Sequence, residues 1–392
     1  MDFKFSPEEE AFRLEVKDWL KSELPPDWGR RGGGEDDNDE TFAESKRLRK
    51  KLADRGWLTM AWPKEYGGLG ASHMQQLVFN EEMSYARAPG PDNGVTMLGP
   101  TLMLNGSEEL KRQYLPGIAR HEWTWAQGYS EPGSGSDLAS LQTRAVEDGD
   151  DFVVNGSKIW TSSAHRADRI FMLVRTDPDA PKHRGITFLI ADMKTPGITI
   201  RPIVNMAGVH SFNQVFFDNV RVPKSNMVGV QNRGWYTAAT LLDFERSGVG
   251  RASGSRRTLE DIVAYAKDTK HNGGTLADDP LVRNELVDRW LETEAGRLIS
   301  YNVTWMQSKG LVPNKEASAA KLFGSELGQR VAQTGMKIMG MYSQLMPGSK
   351  WAPLQGYLSR MYLSSFSGTI AAGTSEIQRN IIATRGLGLP RA

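Results

Sequence analysis

Up to residue 123 the apolar positions recur with a helical period. In 8–24, Phe12, Val16, Trp19 and Leu20 fall on one face. Pro25-Pro26 ends that run, because proline offers no N–H and crowds the preceding turn. Residues 41–55, 74–85 and 108–119 are predicted as three more amphipathic helices. Residues 28–40, with Gly32, Gly33 and Gly34 ahead of an acidic run, read as a solvated, mobile loop. Residues 62–70 (Trp-Pro-Lys-Glu-Tyr-Gly-Gly-Leu-Gly) read as a turn-rich connector. From 124 to 232 the period becomes two. Phe152-Val153-Val154 is followed by Asn155-Gly156, a hairpin-turn signal, and then by Lys158 to Ser162. Further β-rich runs occupy 170–174, 186–191, 198–202 and 215–222. From Gly234 the helical period returns, over 235–266, 280–309, 313–339 and 355–366, with a last element after Gly373-Thr374-Ser375. The pattern predicts an α+β multidomain chain: an N-terminal helical domain (1–123), a middle antiparallel β-barrel or sandwich domain (124–232) and a C-terminal helical bundle domain (233–392).

Length agrees with several domains, since 392 residues exceed what one core serves. No run of about 20 apolar residues exists, so no spanning helix is expected, and residues 1–10 lack a basic-then-apolar signal pattern. Lys plus Arg number 48 and Asp plus Glu 47, a net charge of +1, which argues against a nucleic-acid binder with a broad basic surface. Cysteine is absent; this removes disulfides and thiolate chemistry and fits a cytoplasmic protein. The six histidines are scattered without metal-ligand spacing, so no metal is expected.

Three constellations carry candidate chemistry. Residues 128–137 (Gly-Tyr-Ser-Glu-Pro-Gly-Ser-Gly-Ser-Asp) form a loop that is either an ordinary turn or a backbone cradle for a planar or phosphorylated ligand. Trp160, Thr161 and Ser162 either wall a flat cofactor and bond its edge, or present a sheet tryptophan packed on the core. Residues 373–379 (Gly-Thr-Ser-Glu-Ile-Gln-Arg) open a helix whose free N–H groups suit phosphate oxygens, or form a plain N-cap. Glu245 stands apart. Its neighbours at helical spacing are Ala238, Leu241, Leu242, Gly248, Val249 and Ala252, so a carboxylate lies on an apolar face. It is either a base whose pKa burial raises, or half of an ion pair with Arg246, Arg251 or Arg256. Met336, Met339 and Met341 read as core filler, and His165 as a loop histidine rather than a base.

Taken together, these segments resemble the acyl-CoA dehydrogenase family of flavoproteins. The resemblance covers nearly the whole chain through five ordered segments: 62–68, 128–137, 155–162 (Asn-Gly-Ser-Lys-Ile-Trp-Thr-Ser), 218–223 (Asp-Asn-Val-Arg-Val-Pro) and 373–379. It implies a C-terminal four-helix bundle, with FAD extended between the β domain and the bundle and touching a neighbouring subunit. It also implies removal of the α proton and β hydride of an acyl-CoA thioester, with electrons passed to electron-transferring flavoprotein. By position, Gln127, Tyr129, Ser130, Gly135 and Ser136 belong to the flavin-contacting segment, and Ser136 also lies on the acyl-CoA path. Trp160 flanks the flavin ring, with Thr161 and Ser162 at its edge. Thr374 and Glu376 hold the ribityl–phosphate region, and Gly373 lines the thioester site. Many members carry the catalytic glutamate directly before the last Gly-Thr, where this chain has Ala372. A second pattern supplies it from the first helix after the β domain, and there the resemblance falls on Glu245, with Asp243 and Arg246 on the substrate side.

Two interface patterns are altered. The family's Arg-x-x-Phe-Gly run reads Lys270-His271-Asn272-Gly273-Gly274, and its Gln-x-x-Gly-Gly-x-Gly run reads Lys337 to Ser343 with the glutamine and two glycines gone. Such losses resemble members that work as heteromeric pairs on bulky steroid or ring-bearing acyl groups. The expected assembly is therefore a homo- or hetero-oligomer, a dimer or tetramer. Three functions stay open: a dehydrogenase with Glu245 as base, a supporting subunit of a heteromeric dehydrogenase, and a flavin oxidase of the same fold.

Overall fold

The helices begin where short polar side chains can hold their first free N–H groups. Ser6, Asn38 and Ser72 each accept from the backbone three residues on, and the side chains of Glu9, Thr41 and Gln75 reach back in return. The computed structural model describes residues 4–26, 28, 38–239 and 248–390. In chain order it contains α1 (Pro7–Glu23), α2 (Asp39–Asp54), α3 (His73–Tyr85), α4 (Gly99–Asn105) and α5 (Glu108–Ala119). Then come β1 (Trp125–Gly128), β2 (Arg144–Asp148), β3 (Asp151–Lys158), β4 (Arg169–Arg175), β5 (Ile186–Asp192), β6 (Ile198–Val204), β7 (His210–Pro223) and β8 (Met227–Val228). The chain continues with α6 (Gly234–Ala239), α7 (Val249–Asp268), the strand pair β9 (Lys270–His271) and β10 (Gly274–Thr275), α8 (Pro280–Ser308), α9 (Asn314–Met339), α10 (Tyr357–Gly368) and α11 (Ser375–Ile381). This is the expected order of N-terminal helices, middle β domain and C-terminal helical domain.

Packing divides the chain into two compact units. One holds α1, α3 and everything from α7 onward; the other holds α2, α4 to α6 and the large sheet. In the first, α7 to α10 close around Leu259, Ile262, Leu286, Leu327, Val331 and Leu358. Within that unit, α1 is tied to α3 by Arg13, which bonds Glu81 at 2.7 Å and Glu82 at 2.5 Å.

In the second unit eight strands form one sheet, ordered β6-β7-β3-β2-β4-β5-β8, with β1 added alongside β4. It is mainly antiparallel, with parallel pairing of β1 and β2 to β4. Phe152, Val154, Ile170, Met172, Val215 and Phe217 fill its interior.

The sheet corrects one local expectation. Asn155-Gly156 is not a hairpin turn but a point inside β3 where the register against β7 shifts. The turn lies earlier, where Asp148 pairs with Asp151 around Gly149 at φ 60°. Gly156 sits at φ 143°, and a Cβ there would lie 2.8 Å from Thr143 Cα. The same dipeptide serves a bulge as readily as a turn, because both need a residue indifferent to positive φ. Gly156→Ala is expected to lower stability by about 2–4 kcal/mol, strain and overpacking combined, as read from denaturant midpoints. An unchanged midpoint would show that the bulge relaxes freely.

Residues 94–105 form a helical segment that the pattern did not predict, because Gly94, Gly99 and Pro100 interrupt the apolar period. The single helix expected over 235–266 is not continuous: α7 starts at Val249 behind Gly248, whose left-handed φ of 69° breaks the helical period that the apolar pattern suggested. Residues 240–247, with Asp243, Glu245 and Arg246, lie outside the described residues, as does most of 28–40.

Candidate active site

Residues 125–137 enter the second unit as a strand and leave as a loop. β1 runs parallel to β4, pairing Gln127 with Phe171 and Gly128 with Met172. Tyr129 then turns its ring edge-on to Phe171 and Phe188, and burial pushes its phenol well above its ordinary pKa. The loop beyond is held by an ion pair. Glu131 and Ser134 exchange two backbone bonds, of 2.9 and 3.0 Å. The Glu131 carboxylate accepts from the N–H groups of Gln142 (2.6 Å) and Thr143 (2.9 Å) and from Lys158 Nζ (2.7 Å). Lys158 is wholly buried and also donates to the Tyr129 carbonyl at 3.2 Å. Burial alone would raise the Glu131 carboxyl, but the Lys158 ammonium and the bonds from 142 and 143 win and hold it below the usual range. Burial pulls Lys158 down to about 8 against the pull of Glu131.

This pair joins two of the predicted segments. Lys158 ends β3, and the next residue, Ile159, donates its N–H to the Ser130 carbonyl at 2.9 Å. Residues 129–131 therefore lie against 158–159. Trp160 follows at φ 58° and is 57% exposed, which removes the reading of a sheet tryptophan packed on the core. Thr161 is buried, and its Oγ1 has no hydrogen-bond partner among the described residues. Ser162, Gly135 and Ser136 are exposed.

In the first unit the last motif behaves as a true N-cap. Thr374 accepts from the Ile377 N–H at 3.2 Å. Glu376 is fully exposed, and its own backbone N–H and the Thr374 hydroxyl keep its carboxyl below the usual range. Just before it, Ala372 (φ 54°) and Gly373 (φ 85°) are both left-handed. Their carbonyls are drawn inward: Gln378 Nε2 donates to Ala372 O at 3.1 Å, and the buried Lys321 Nζ donates to Gly373 O at 2.6 Å. Ser375 is buried, and its Oγ has no hydrogen-bond partner among the described residues. Beside it opens a cavity of about 420 Å³ lined by Gln329, Arg330, Gln333, Thr374, Ser375 and Glu376. Lys158, Glu131 and Lys321 were not singled out from sequence. Lys158 could have been: it shares the inward-facing positions of β3 with Phe152 and Val154, where a charge needs explaining.

Residues 6–122, 126–220 and 232–387 match the N-terminal, middle and C-terminal domains of acyl-CoA dehydrogenase, respectively. The chain belongs to the acyl-CoA dehydrogenase family. Acyl-CoA dehydrogenase IpdE1 of Mycobacterium tuberculosis is 38% identical to it, covering 97% of this chain and 98% of the relative. Acyl-CoA dehydrogenase FadE26 of the same organism is 38% identical over 100% of both. Among solved structures, the Tcur3481-Tcur3483 steroid acyl-CoA dehydrogenase superposes with a TM-score of 0.91 at 38% identity, covering 100% of both chains. The ChsE4-ChsE5 complex from M. tuberculosis gives 0.90 at 37%, again over 100% of both.

Membership makes the protein an oxidoreductase acting on a CH–CH bond and implies a flavin. The residues present fit such a group. Buried hydroxyls are normally bonded, yet among the described residues Thr161 Oγ1, which the family resemblance assigns to the flavin, has no partner, and neither has Ser375 Oγ, which stands between the assigned Thr374 and Glu376. None of the described helices is long and apolar enough to cross a membrane. A second cavity of about 410 Å³ is lined by α1, α3, α7 and α8 in the first unit. Its cations are already engaged: Arg13 with Glu81 and Glu82, Arg256 with Glu260, Arg297 with Glu294.

Proposed function

We propose that this chain is one of two different subunits of a heteromeric, FAD-dependent acyl-CoA dehydrogenase that desaturates a bulky, ring-bearing acyl-CoA. The observation that carries the reading is at 337–343. Where the family pattern has glycines for close approach to a neighbour's cofactor, this chain has Met341 and Ser343, and Met341, expected as core filler, is instead 81% exposed. The residues at 270–274 likewise form a small strand pair without the family's arginine. A second, different chain would supply these contacts. The steroid enzyme and the two-component complex named above, both alike over the full length, support this reading.

In this reading Glu245 takes the α proton of the thioester. Bound FAD would supply the acceptor for the β hydride, with electron-transferring flavoprotein as the expected sink for the electrons. Trp160 walls the flavin ring, and the hydroxyls of Ser130, Thr161 and Ser162 bond its edge. Gln127, Tyr129, Gly135 and Ser136 shape the same wall. Thr374 and Glu376 hold the ribityl–phosphate region. Gly373 lines the thioester, and Ser136, Asp243 and Arg246 contact the acyl-CoA. The work is cytoplasmic. A second reading, favoured by the same losses at 270–274 and 337–343, has the chain complete another subunit's FAD pocket without turning over.

The test is a visible spectrum of the chain alone and of the chain co-purified with its second subunit, before and after adding straight, branched and ring-bearing acyl-CoAs. A chain that is colourless alone, and yellow and bleachable by ring-bearing acyl-CoA in the complex, is the expected result. A flavin band in the isolated chain that bleaches with straight-chain acyl-CoA would overturn the heteromeric reading. Oxygen uptake without an added acceptor would point to an oxidase instead.

A further inference from the structure

Between β3 and β4 the backbone enters the left-handed region twice without glycine, at Trp160 (φ 58°) and Ser163 (φ 52°). Such a turn is strained and persists only where its surroundings over-determine it. Here the restraint comes from one strand. The Thr161 N–H donates to the Asn213 carbonyl at 3.0 Å, and the Ser163 N–H donates to the Ser211 carbonyl at 2.9 Å. Asn213 Nδ2 donates to the Thr161 carbonyl at 3.1 Å, so Asn213 grips both backbone groups of Thr161.

Asn213 has no exposed surface and points inward from β7 in line with Val215 and Phe217. Its amide is fully used. Nδ2 also lies 3.2 Å from His165 Nδ1, and Oδ1 lies 2.7 Å from His210 Nε2. The bond to the Thr161 carbonyl fixes which end of the amide is the donor, so His165 accepts and His210 donates. The two imidazoles stack at 3.9 Å and 23°. Burial, with His210 and Arg166 nearby, holds His165 at about 4, which keeps it the neutral acceptor this arrangement needs.

We propose that Asn213 is the positioning residue of the flavin-facing turn at 160–163: its buried amide, locked in one orientation by His165 and His210, sets the backbone that turns Trp160 outward and leaves the Thr161 hydroxyl unbonded for the flavin edge. The proposal rests on the reading above that this turn walls the flavin. An apolar residue would fill the inward slot as well as Asn213 does. What the slot needs is a group that satisfies the N–H and carbonyl of a turn outside regular pairing.

The test uses the full chain in the assembly that carries flavin, with Asn213→Ala, Asn213→Asp, His210→Phe, Trp160→Phe and the Asn213→Ala/Trp160→Phe double variant. Amide exchange over 159–164 is followed in flavin-free protein, and FAD affinity is titrated at the visible flavin band. In both Asn213 variants the Thr161 and Ser163 amides should exchange roughly tenfold faster and FAD should bind about 30-fold more weakly. His210→Phe keeps a ring against His165 and removes one bond. Its expected effect is about fivefold, and it keeps the test decisive should the Asn213 variants not fold. Adding Trp160→Phe to Asn213→Ala should weaken FAD binding much less than Trp160→Phe does alone, because the ring is already misplaced. Unchanged exchange overturns the clamp itself. Faster exchange with unchanged FAD affinity, or a complex that never takes up FAD, sinks the placement of this turn against a flavin. Full additivity in the double variant means the two residues act separately, and the proposal fails.

Discussion

Glu245→Gln is expected to leave flavin bound and to abolish its bleaching by acyl-CoA. A glutamine keeps the size of the side chain and much of its hydrogen bonding but cannot accept a proton at neutral pH. If the α proton must leave before or with the hydride, no other group in the matched segments replaces it, because the alternative position is Ala372. A positioned base contributes about 10²–10⁴-fold, so the anaerobic rate of flavin reduction should fall by about that factor. Ala238, Val249 and Ala252, which the sequence pattern groups with Glu245, are buried, although Gly248 at φ 69° keeps them from lying on one continuous helix. Stopped-flow reduction of the complex gives the answer. Reduction at the parental rate would move the base elsewhere, and the supporting-subunit reading would then gain the residue's silence as evidence.

The second large effect is on stability. Lys158→Met should cost about 3–5 kcal/mol at neutral pH, because it leaves Glu131 buried and uncompensated. The pH dependence has a definite sign. Glu131 has its pKa depressed in the folded state, so its stabilisation is present above the ordinary carboxylate range and lost as pH falls through the folded value. The gap between parent and variant should therefore be widest near neutrality and narrow in acid, where protonated Glu131 no longer needs its partner. Chemical denaturation at a series of pH values measures it. A gap that stays constant into acid would mean that the lysine acts through packing alone. Since Lys158 also holds the Tyr129 carbonyl, the variant should loosen the 128–137 loop along with the fold.

The helices and their order were legible because their signals are local. Ser6 with Glu9 and Ser72 with Gln75 are caps written within four residues, and each opens a helix within one residue of the expected start. The site was legible only as motifs. Its fastenings join residues far apart: Glu131 to Lys158 across 27 positions, His165 to Asn213 across 48, Gly373 to Lys321 across 52. Spacing rules cannot see such pairs. A trace remained in the strands, where Asn213 and Lys158 occupy positions that alternation assigns to apolar residues. The Asn155-Gly156 error has the complementary cause: one dipeptide satisfies two backbone geometries, and the partner strand chooses between them.

Ala372 bears on how the family's catalytic carboxylate can change address. The left-handed backbone that a side chain resists is already in place there, clamped from behind at its own carbonyl and the next. Writing glutamate at 372 would therefore ask nothing new of the main chain. A carboxylate could be gained or lost at 372 without rebuilding the turn that carries it.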